Sequence, residues 1–513
     1  MFSSINTVAL NGMDAKLVRA ETDISDGGLP ILEMVGFLAG EVKESKERIK
    51  TALRNSGFLI PPKRITVNLS PADIKKSGSA FDLPVAISLI QAMGLIPEEG
   101  IGSVCMAGEL SLSGDVIGIN GVLPMVMYAR DKGFKRFIVP YANREEGGAA
   151  SEIEVIGVKN LAEAAEYLSG NQEIMPSQMS VRQLLRQSRE YESDFSNIRG
   201  QKALKRGIEV AVSGMHNILI IGPPGSGKTM AAKCIPSILP ELSEDECLEI
   251  SRIYSVAGAL GPEGLVLQRP FVNPHHTVTA QALAGGGSKP RPGAVSMSHR
   301  GVLFLDELPE FTRGALEILR QPMEDKEIHI SRAAGSCTFP ADFLFAAAMN
   351  PCKCGFYPDR SRCSCSEPEV RKYLSKISQP LIDRIDISVE AQEINFEDLR
   401  RRDEEEETSA EIRGRVTDAV EIQKKRYEGT KIKFNADLKI GDLKRYCPVG
   451  EKEEELLREA FSKLGLSVRA YHRILRCART IADLYHSDRI NTDHLAEAIA
   501  YRSIDRRYWH GDR

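Results

Sequence analysis

Short apolar runs alternate with helical patterns in the N-terminal part of the chain, and longer helical patterns dominate its C-terminal part. Residues 65–69 and 137–140 are β-rich runs that predict strands, and the apolar spacing of residues 40–56 predicts a helix. We therefore assign residues 1–170 to an α/β domain. Apolar periodicity is lost in the polar stretch that follows, so residues 171–196 are predicted to be a linker.

The middle of the chain contains apolar runs at residues 218–221 and 302–305, with the length and uniform hydrophobicity of buried parallel strands. They indicate a second α/β unit, which we place at residues 197–400. A run of charge at residues 400–407 is predicted to be a solvated loop. Residues 401–513, which begin within this run, are predicted to form a helical domain. Its strongest helix patterns cover residues 410–426, 451–464, 467–485 and 492–500.

The length and composition indicate a globular protein with more than one domain. A length of 513 residues exceeds what one hydrophobic core usually organises, and 42% apolar with 27% charged residues is typical of globular proteins. The net charge of −4 provides no attraction of the whole protein to nucleic acid, so DNA binding would need a local basic surface. No apolar run reaches the roughly 18 residues of a membrane-spanning helix, and residues 1–12 lack the pattern of a signal peptide. We predict a cytoplasmic protein without membrane partners.

A phosphate-binding loop follows the first apolar run of the middle unit. Its residues are Gly222, Pro223, Pro224, Gly225, Ser226, Gly227, Lys228 and Thr229. Glycines allow backbone amides to curl around phosphate oxygens, and the start of the following helix offers unpaired N–H groups. Lys228 would neutralise the β- and γ-phosphates of ATP, and Thr229 would hold Mg²⁺. The motif requires a strand before it and a helix after it, and both are predicted here.

Two adjacent carboxylates, Asp306 and Glu307, end the second apolar run. Asp306 would bind Mg²⁺ through water, and Glu307 would polarise the water that attacks the γ-phosphoryl group. The alternative is an acidic pair that merely caps a strand. The phosphate loop upstream favours the catalytic interpretation.

Several further motifs, taken in order with these two, resemble the magnesium-chelatase-like AAA+ ATPases of the YifB/ComM family over nearly the whole chain. They are residues 269–277, 285–287, 292–295, 301–311, 349–352 and 380–386. The resemblance implies an AAA+ P-loop α/β/α core at residues 197–400, followed by a helical lid like that of magnesium chelatase at residues 401–513. It also implies an ATPase that works as a hexameric ring.

The resemblance implies roles for two residues that follow the ATP motifs. Asn350 would be the first sensor, which orients the attacking water, although it could instead stabilise a turn. Arg384 would be the arginine finger that reaches into the site of the neighbouring subunit and stabilises charge on the γ-phosphoryl oxygens. It could instead form an ordinary ion pair with Asp383 or Asp386.

A third arginine, Arg469, resembles the second sensor that the lid carries in this family. The nearby Arg473 and Arg476 are alternatives for this role. If Arg384 acts on a neighbouring subunit, an isolated chain has no complete active site. The assembly would then have to be a ring.

Four of the ten cysteines, Cys352, Cys354, Cys363 and Cys365, fall within one short segment. Two close pairs of thiolates across a loop suit a closed tetrahedral Zn²⁺ site, in which the metal would be structural. One residue separates the cysteines of each pair, whereas zinc sites commonly have two. Four reduced structural thiols are the alternative.

The first domain resembles the Lon-protease-like domain, of the ribosomal S5 domain 2-like fold, that precedes the motor in this family. The best landmarks are residues 78–84 and 108–121. An active Lon domain uses a serine with a lysine as its base. Here the expected serine position falls at or near Asp82 and the expected lysine position at Pro124, which carries no base. Although Ser79 has Lys76 close to it in sequence, we predict a proteolytically inactive domain.

Basic residues between and beyond the ATP motifs are candidates for contacts with a DNA backbone. Lys289, Arg291 and His299 accompany a glycine-rich segment that could face a central pore, and Arg332 lies near the turn of a hairpin-like run. Ordinary charges on exposed loops are the alternative.

The ComM branch of the family is associated with DNA translocation and branch migration during recombination of incoming DNA in natural transformation. The resemblance therefore favours a DNA motor with ATP and Mg²⁺ as cofactors. Its partners would be single-stranded or branched DNA and recombination proteins. A protein-remodelling ATPase without a DNA substrate is the main alternative. A chelatase subunit is disfavoured, because the chain has an additional Lon-like domain and no recognisable metal-binding adhesion module.

Overall fold

A seven-stranded sheet, a five-stranded sheet and a C-terminal group of helices are the main parts of the protein. The structure is a computed structural model that describes residues 1–26, 29–188, 191–287, 290–332, 335–393 and 406–510. The architecture is mixed α/β with a parallel central sheet, followed by a helical region, in agreement with the sequence prediction at this level.

The N-terminal part of the chain builds the first sheet and the helices that cover it. The strands are β1 (Phe2–Asn11), β2 (Asp14–Ser25), β3 (Ile31–Val35), β4 (Arg64–Ser70), β5 (Val104–Met106), β6 (Glu109–Leu110), β7 (Val116–Ile117), β8 (Arg136–Pro140) and β9 (Glu154–Val158). The helices are α1 (Gly40–Asn55), α2 (Asp82–Ala92), α3 (Val122–Asp131), α4 (Arg144–Gly148) and α5 (Leu161–Leu168). The seven-stranded sheet has the order β3-β4-β2-β1-β5-β8-β9, and β6 with β7 forms a separate hairpin.

Both faces of the first sheet are buried, because alternate residues of a strand point to opposite sides. Val8 of β1 and Phe137 of β8 lie in one apolar cluster, whereas Ile5 and Ile138 of the same strands lie in another. Helix α2 is buried along its whole length between the sheet and its neighbours. The helix predicted at residues 40–56 is α1.

A short helix, α6 (Val181–Gln187), lies within the segment predicted to be a linker. Ser180 caps this helix by accepting a hydrogen bond from the backbone N–H of Gln183 at 3.4 Å. Val181 is buried against the first domain, and Ser177 pairs with Val155 at the edge of the first sheet. The segment therefore follows the surface of the first domain.

The middle of the chain builds a second unit. Its strands are β10 (Ile218–Ile221), β11 (Phe271–Val272), β12 (Gly285–Gly286), β13 (Arg291–Pro292), β14 (Val302–Leu305), β15 (Glu327–Arg332), β16 (Gly335–Pro340), β17 (Leu344–Met349) and β18 (Ile387–Glu390). Its helices are α7 (Lys202–Gly214), α8 (Lys228–Ile238), α9 (Glu244–Ala257), α10 (Ala280–Ala284), α11 (Ala294–Met297), α12 (Arg313–Ile318), α13 (Pro322–Asp325), α14 (Glu367–Leu374) and α15 (Gln379–Ile382). Five strands form a parallel sheet in the order β11-β14-β17-β10-β18. The pairs β12–β13 and β15–β16 are separate antiparallel hairpins.

The uniform hydrophobicity of the predicted strands reflects burial on both faces of this sheet. Ile218 and Ile220 of β10 point into one apolar cluster, and Leu219 and Ile221 point into the other. Strand β14 shows the same alternation. The sheet is therefore a central layer with a hydrophobic core on each side.

The C-terminal helices cover one of these two faces. They are α16 (Ser409–Arg426), α17 (Ile440–Tyr446), α18 (Glu451–Leu464), α19 (Val468–Leu484) and α20 (Thr492–Asp505). Helices α16 and α19 pack against α7 on the side that carries Ile218 and Ile220. Four of these helices match the predicted patterns, whereas α17 was missed because seven residues give too short a periodic signal. Among the described residues, no helix is long and apolar enough to cross a membrane.

The contacts between the first domain and the second unit include α9 and the β15–β16 hairpin. Glu146 of α4 is buried and accepts a hydrogen bond from the hydroxyl of Ser255 in α9. The backbone N–H of Gly121 donates to the carbonyl of Ser255 at 3.1 Å. At the turn after β1, Gly12 has a φ of +61°, and a Cβ added there would lie 2.9 Å from Cβ of Cys337 in β16. The first domain thus touches both α9 and the β15–β16 hairpin.

Candidate nucleotide and metal sites

The phosphate loop forms an open cradle between strand β10 and helix α8. Gly225 and Gly227 have φ angles of +77° and +80°, which glycine adopts without a steric penalty. A Cβ added at either position meets nothing within 4 Å, so the space beside both glycines is open. Helix α8 begins at Lys228, and the first N–H groups of a helix lack intrahelical partners. Loop and helix start together fit the phosphates of a nucleotide.

Lys228 reaches across this cradle. Its Nζ donates to the carbonyl oxygens of Gly222 at 2.9 Å and Pro223 at 2.8 Å, and to Oδ1 of Asn350 at 3.1 Å. Burial lowers the pKa of the Lys228 ammonium, and the Asp306 carboxylate opposes this shift. Phosphate oxygens would replace neutral carbonyls as partners and would favour the charged form of Lys228.

Asp306 is in contact with the loop although its strand does not pair with β10. Strand β17 lies between β14 and β10, yet Oδ2 of Asp306 accepts a hydrogen bond of 2.6 Å from the Thr229 hydroxyl. A hydroxyl oxygen and a carboxylate oxygen this close together are ligands of the type that Mg²⁺ prefers. The donor set therefore fits the predicted Mg²⁺ site.

The sheet order also explains the position of Asn350. Strand β17 lies between the strands that carry the phosphate loop and the acidic pair, and Asn350 follows it directly. The backbone N–H of Gly222 donates to the carbonyl of Met349 at 3.2 Å, which joins the start of the loop to the end of β17. The structure thus gathers Lys228, Thr229, Asp306 and Asn350 around one cradle.

Glu307 extends from the edge of this group towards solvent. Its backbone is left-handed with a φ of +51°, its N–H donates to Oδ1 of Asp306 at 2.9 Å, and its side chain is 61% exposed. Oε2 of Glu307 lies 3.5 Å from Nδ1 of His276, a contact that is an ion pair only when the imidazole is protonated. Sequence reasoning gave His276 no role, because the two residues are joined only by the folded sheet.

The contact between His276 and Glu307 leads to a prediction of modest size. We expect His276→Ala to raise the basal rate of ATP hydrolysis by up to about fivefold, because an exposed pair contributes about 0.2–1 kcal/mol and its loss frees Glu307. Steady-state ATPase rates measure this, with His329→Ala as the control, since His329 forms a similar exposed pair with Glu327. A rate that falls below the detection limit in His276→Ala would mean that this imidazole takes part in catalysis.

Gln201 is a second residue that sequence reasoning missed. Its backbone is left-handed with a φ of +54°. Its side-chain amide donates to the carbonyls of Ser226 at 3.2 Å and Gln392 at 2.6 Å, and its Oε1 accepts from the N–H of Gln392 at 3.0 Å. Gln201 therefore joins the phosphate loop to the segment after β18. Since Gln392 is 191 residues away in sequence, no local pattern marks this bridge.

The end of the acidic run before the helical region contacts residues next to Gln201. Residues 394–405 lie outside the described residues. Glu406, which we predicted to be solvated, accepts a hydrogen bond from the N–H of Gly200 at 2.6 Å and is 2.6 Å from Nζ of the buried Lys205. The end of the run is thus bound to the second unit, beside Gln201.

Arg384 is held by three groups of its own chain. Its Nη2 is 2.6 Å from Oε1 of Glu324. Its Nε donates to the carbonyl of Arg320 at 3.1 Å, and its Nη1 donates to the carbonyl of Pro380 at 2.8 Å. The side chain is 11% exposed, and that of Glu324 is 56% exposed.

The two acids beside Arg384 have other partners. Asp383 lies 3.9 Å from Arg469, whose side chain is 68% exposed. Asp386 lies 3.5 Å from Arg473, which also donates to the carbonyl of Ile385 at 2.7 Å. Arg384 therefore forms its ion pair with Glu324, and not with Asp383 or Asp386 as the alternative interpretation predicted.

Arg384 and Arg469 share a cavity of about 970 Å³ between the second unit and the C-terminal helices. Arg473 and Arg476 also line it. None of residues 222–229, all of which are described, contributes to its wall. The two arginines therefore face a different part of the surface from the phosphate loop of their own chain.

The four clustered cysteines converge on one point. All four sulfurs of Cys352, Cys354, Cys363 and Cys365 lie within 4.8 Å of one another. The sulfur of Cys352 is 3.3 Å from that of Cys354 and 3.7 Å from that of Cys363, and the last two are 3.5 Å apart. Four sulfurs at about 2.3 Å from one Zn²⁺ would be about 3.8 Å apart in a tetrahedron. The thiols therefore fit a closed zinc site.

The first domain carries an ion pair at Asp82, the position at which the sequence predicts the serine of an active Lon domain. Asp82 binds Arg48 at 2.6 Å and accepts a hydrogen bond from the N–H of Leu110 at 3.2 Å. Pro124, at the expected lysine position, is buried in α3. Asp82 and Pro124 offer neither a nucleophile of the expected type nor a base.

The nearby serine and lysine are also engaged elsewhere. Ser79 donates its hydroxyl hydrogen to Glu109, and Lys76 donates to the carbonyl of Pro71. Burial lowers the pKa of the Lys76 ammonium. Ser79 and Lys76 therefore each have a partner other than the one that a serine–lysine dyad would need.

The basic residues proposed from sequence as DNA contacts have different surroundings. His299 is 2% exposed and lies 3.1 Å from Glu249, so it is not available to a DNA backbone. Arg291 is exposed on β13. Arg332 ends β15, and Lys289 lies outside the described residues.

A phosphate loop, an acidic strand end and a polar residue directly after the strand between them are the features of a P-loop ATPase of the AAA+ class. Comparison with known families and proteins supports this class. The model described as magnesium chelatase, subunit ChlI, matches residues 194–399. The models of subunit ChlI of Mg-chelatase and of its C-terminal part match residues 20–143 and 406–502.

Several relatives cover almost the whole chain, and a protease matches a quarter of it. The competence protein ComM of Haemophilus influenzae is 38% identical over 496 residues, which is 96% of both chains. The uncharacterized protein YifB of Escherichia coli is 39% identical over 505 residues, 98% of this chain and 97% of its own. Lon protease 2 of Bacillus subtilis is 32% identical over 130 residues, 25% of this chain and 23% of its own. The chain belongs to the YifB/ComM family of magnesium-chelatase-like AAA+ ATPases.

Proposed function

We propose that this chain is the subunit of a hexameric ring that couples ATP hydrolysis to translocation on DNA. Its specific activity would be branch migration in the recombination of incoming DNA during natural transformation. One observation carries the ring: Arg384 and Arg469 line a cavity to which residues 222–229 of the same chain do not contribute. Two arginines of this kind have a catalytic use if the cavity meets the phosphate loop of a second copy.

Within one site, the residues at the cradle would bind and orient the substrate. Lys228 would exchange its carbonyl partners for the β- and γ-phosphate oxygens of ATP, and Thr229 with Asp306 would hold Mg²⁺. Mg²⁺, when bound, would neutralise charge on those oxygens. Glu307 would take the proton of the attacking water, and Asn350 would orient that water.

The neighbouring subunit would complete this site. Arg384 would stabilise the charge that spreads over the γ-phosphoryl oxygens in the transition state, because a guanidinium offers several donors in a fixed plane. Arg469 would act as the second sensor from the same neighbour. Its high exposure in the isolated chain agrees with a contact made only in an assembly.

The domain assignment is part of the same proposal. Residues 1–170 would be a Lon-like domain of the ribosomal S5 domain 2-like fold without proteolytic activity, which is supported by the Asp82–Arg48 pair. Residues 171–196 would connect it to an AAA+ core at residues 197–400 with its four-cysteine insertion. Residues 401–513 would be the lid.

Two adjacent hairpins support a nucleic-acid substrate. A Cβ added to Gly285 in β12 would lie 3.0 Å from Cδ1 of Ile330 in β15, so the hairpins β12–β13 and β15–β16 are in contact. Arg291 and Arg332 lie on these hairpins. In a ring, Arg291 would recur as a basic residue that contacts a phosphate backbone. The name of the Haemophilus relative, a competence protein, supports DNA taken up from outside as the substrate.

The DNA proposal predicts that ATP hydrolysis responds to nucleic acid. We expect single-stranded or four-way-junction DNA to raise the ATPase rate several-fold, and log K of DNA binding to fall linearly with log salt. Arg291→Ala should reduce the slope of that line by about 1, because one phosphate contact is lost. The control is Arg130→Ala, an arginine of the first domain that pairs with Asp131.

Branch migration itself is measured by strand displacement from a labelled junction in the presence of ATP. Absence of stimulation by every DNA form would contradict the DNA motor. If an unfolded protein substrate stimulates ATP hydrolysis instead, the protein-remodelling alternative replaces it.

A further inference from the structure

The four-cysteine loop, defined here as residues 351–366, is in direct packing contact with the phosphate loop. Gly355 has a φ of +88°, and a Cβ added there would lie 2.3 Å from Cδ of Pro224. The N–H of Gly355 donates to the carbonyl of Cys352 at 3.1 Å, so this turn is closed within the cysteine loop. Only a residue without a side chain fits between the cysteines and the phosphate loop.

The same loop is continuous with the residue that contacts Lys228. Asn350 directly follows β17, and Cys352 comes two residues later with its side chain fully buried in the core beneath the sheet. The N–H of Tyr357 lies 3.4 Å from the sulfur of Cys352, as expected for a donor that stabilises a metal-bound thiolate. The first cysteine therefore anchors the chain directly after Asn350.

A third contact holds the far side of the cysteine loop. The rings of Tyr357 and Tyr508 are 6.0 Å apart, and the hydroxyl of Tyr508 donates to Glu390 at 2.8 Å, at the end of β18. A cleft of about 270 Å³ separates these residues from Gly222 and Pro223. The cysteine loop thus lies between the phosphate loop and the C-terminal segment.

We propose that the four-cysteine loop is a zinc–thiolate centre whose occupancy sets the geometry of the ATP site. Zn²⁺ would hold the four sulfurs at tetrahedral spacing and so fix Gly355 against Pro224 and the backbone after Asn350. Without the metal, four thiolates would repel one another, and four thiols would lack a common partner. This inference rests on the ATP site of the proposed function, but not on DNA or on ring formation.

The first test compares zinc content with ATP binding in the full-length protein. Wild-type protein purified without chelator should contain about one zinc ion per chain, measured by elemental analysis. Cys363→Ser should lose the zinc and bind a fluorescent ATP analogue on the order of 10–100-fold more weakly, the range found when groups that support a site are lost. Cys105→Ala removes a buried thiol of the first domain and should change neither quantity.

A second variant separates positioning from metal binding and from unfolding. Gly355→Ala keeps all four sulfurs and should keep its zinc, but its Cβ would displace Pro224. ATP affinity should fall by up to about 100-fold, since misplacement of binding groups by about 1 Å has effects of this size. Gly133→Ala is the matched control, because Gly133 has a φ of +83° and open space around it.

The outcomes separate this inference from the proposed function. Wild-type protein without zinc would overturn the metal centre. Zinc-free Cys363→Ser with wild-type ATP affinity, or Gly355→Ala with unchanged affinity, would overturn the link to the ATP site. Neither result depends on whether DNA stimulates hydrolysis, and a failure of DNA stimulation leaves the zinc and ATP-binding measurements intact.

Discussion

Arg384→Ala is expected to bind ATP with wild-type affinity and to hydrolyse it on the order of 10³-fold more slowly, the smaller end of the effect of an arginine finger. Binding is retained because residues 222–229 do not line the cavity that holds Arg384. Hydrolysis is lost because the guanidinium would stabilise charge that develops only in the transition state. Equilibrium binding of a fluorescent ATP analogue and steady-state phosphate release measure the two quantities separately.

Mixed rings provide the decisive control for Arg384. Lys228→Ala protein lacks the cation of its own site but retains Arg384, so it can complete the site of an Arg384→Ala neighbour. Mixing the two inactive proteins should therefore restore part of the activity. Arg130→Ala, which alters an arginine of the first domain, should be fully active alone. Full activity of Arg384→Ala by itself would remove its assignment as a finger.

Arg384 must leave its partner Glu324 before it can act as a finger in the neighbouring site. Glu324 holds its Nη2 at 2.6 Å, although that carboxylate is more than half exposed. Solvent around the Glu324 carboxylate weakens this pair, so a charged phosphate can outweigh it. Ring closure would thus exchange Glu324 for the γ-phosphate of the neighbouring site.

Features that depend on nearby residues could be predicted from the sequence. The strands at residues 218–221 and 302–305 have the predicted bounds, because both are short runs buried on two faces. The convergence of four thiols followed from the spacing of two close pairs. The acidic pair was placed correctly relative to its strand, because Asp306 directly follows Leu305.

Contacts between residues far apart in the sequence could not be predicted from local sequence patterns. Gln201 bridges the phosphate loop to Gln392, and His276 meets Glu307, only because the sheet brings their segments together. His299 looked like one more basic residue of a loop, yet burial beside Glu249 removes it from the surface. The contact of Gly355 with Pro224 likewise has no sequence signal, because it depends on packing between two loops.

Glu307→Gln is expected to bind ATP as the wild type does and to hydrolyse it on the order of 10²–10⁴-fold more slowly, the contribution of a general base. The amide preserves the size of the side chain but cannot accept the proton of the attacking water. Thr229, Asp306 and Lys228 keep their contacts, so nucleotide binding should persist. Rapid-quench measurement of a single turnover distinguishes a slow chemical step from slow product release.

The matched control for Glu307 lies in the same turn. Glu310 is also exposed, pairs with Lys376 at 3.1 Å and lies three residues further along the chain. Glu310→Gln removes one negative charge from the same surface, but it breaks no contact at the cradle. Its rate of ATP hydrolysis should therefore stay within about twofold of the wild type, as expected when an exposed ion pair is lost. If Glu310→Gln lost turnover while Glu307→Gln kept it, the base would be Glu310 and the water would attack from the side of Lys376. The contacts favour Glu307 as the base, because its backbone N–H donates to Asp306 at 2.9 Å and Asp306 also accepts the hydrogen bond of Thr229.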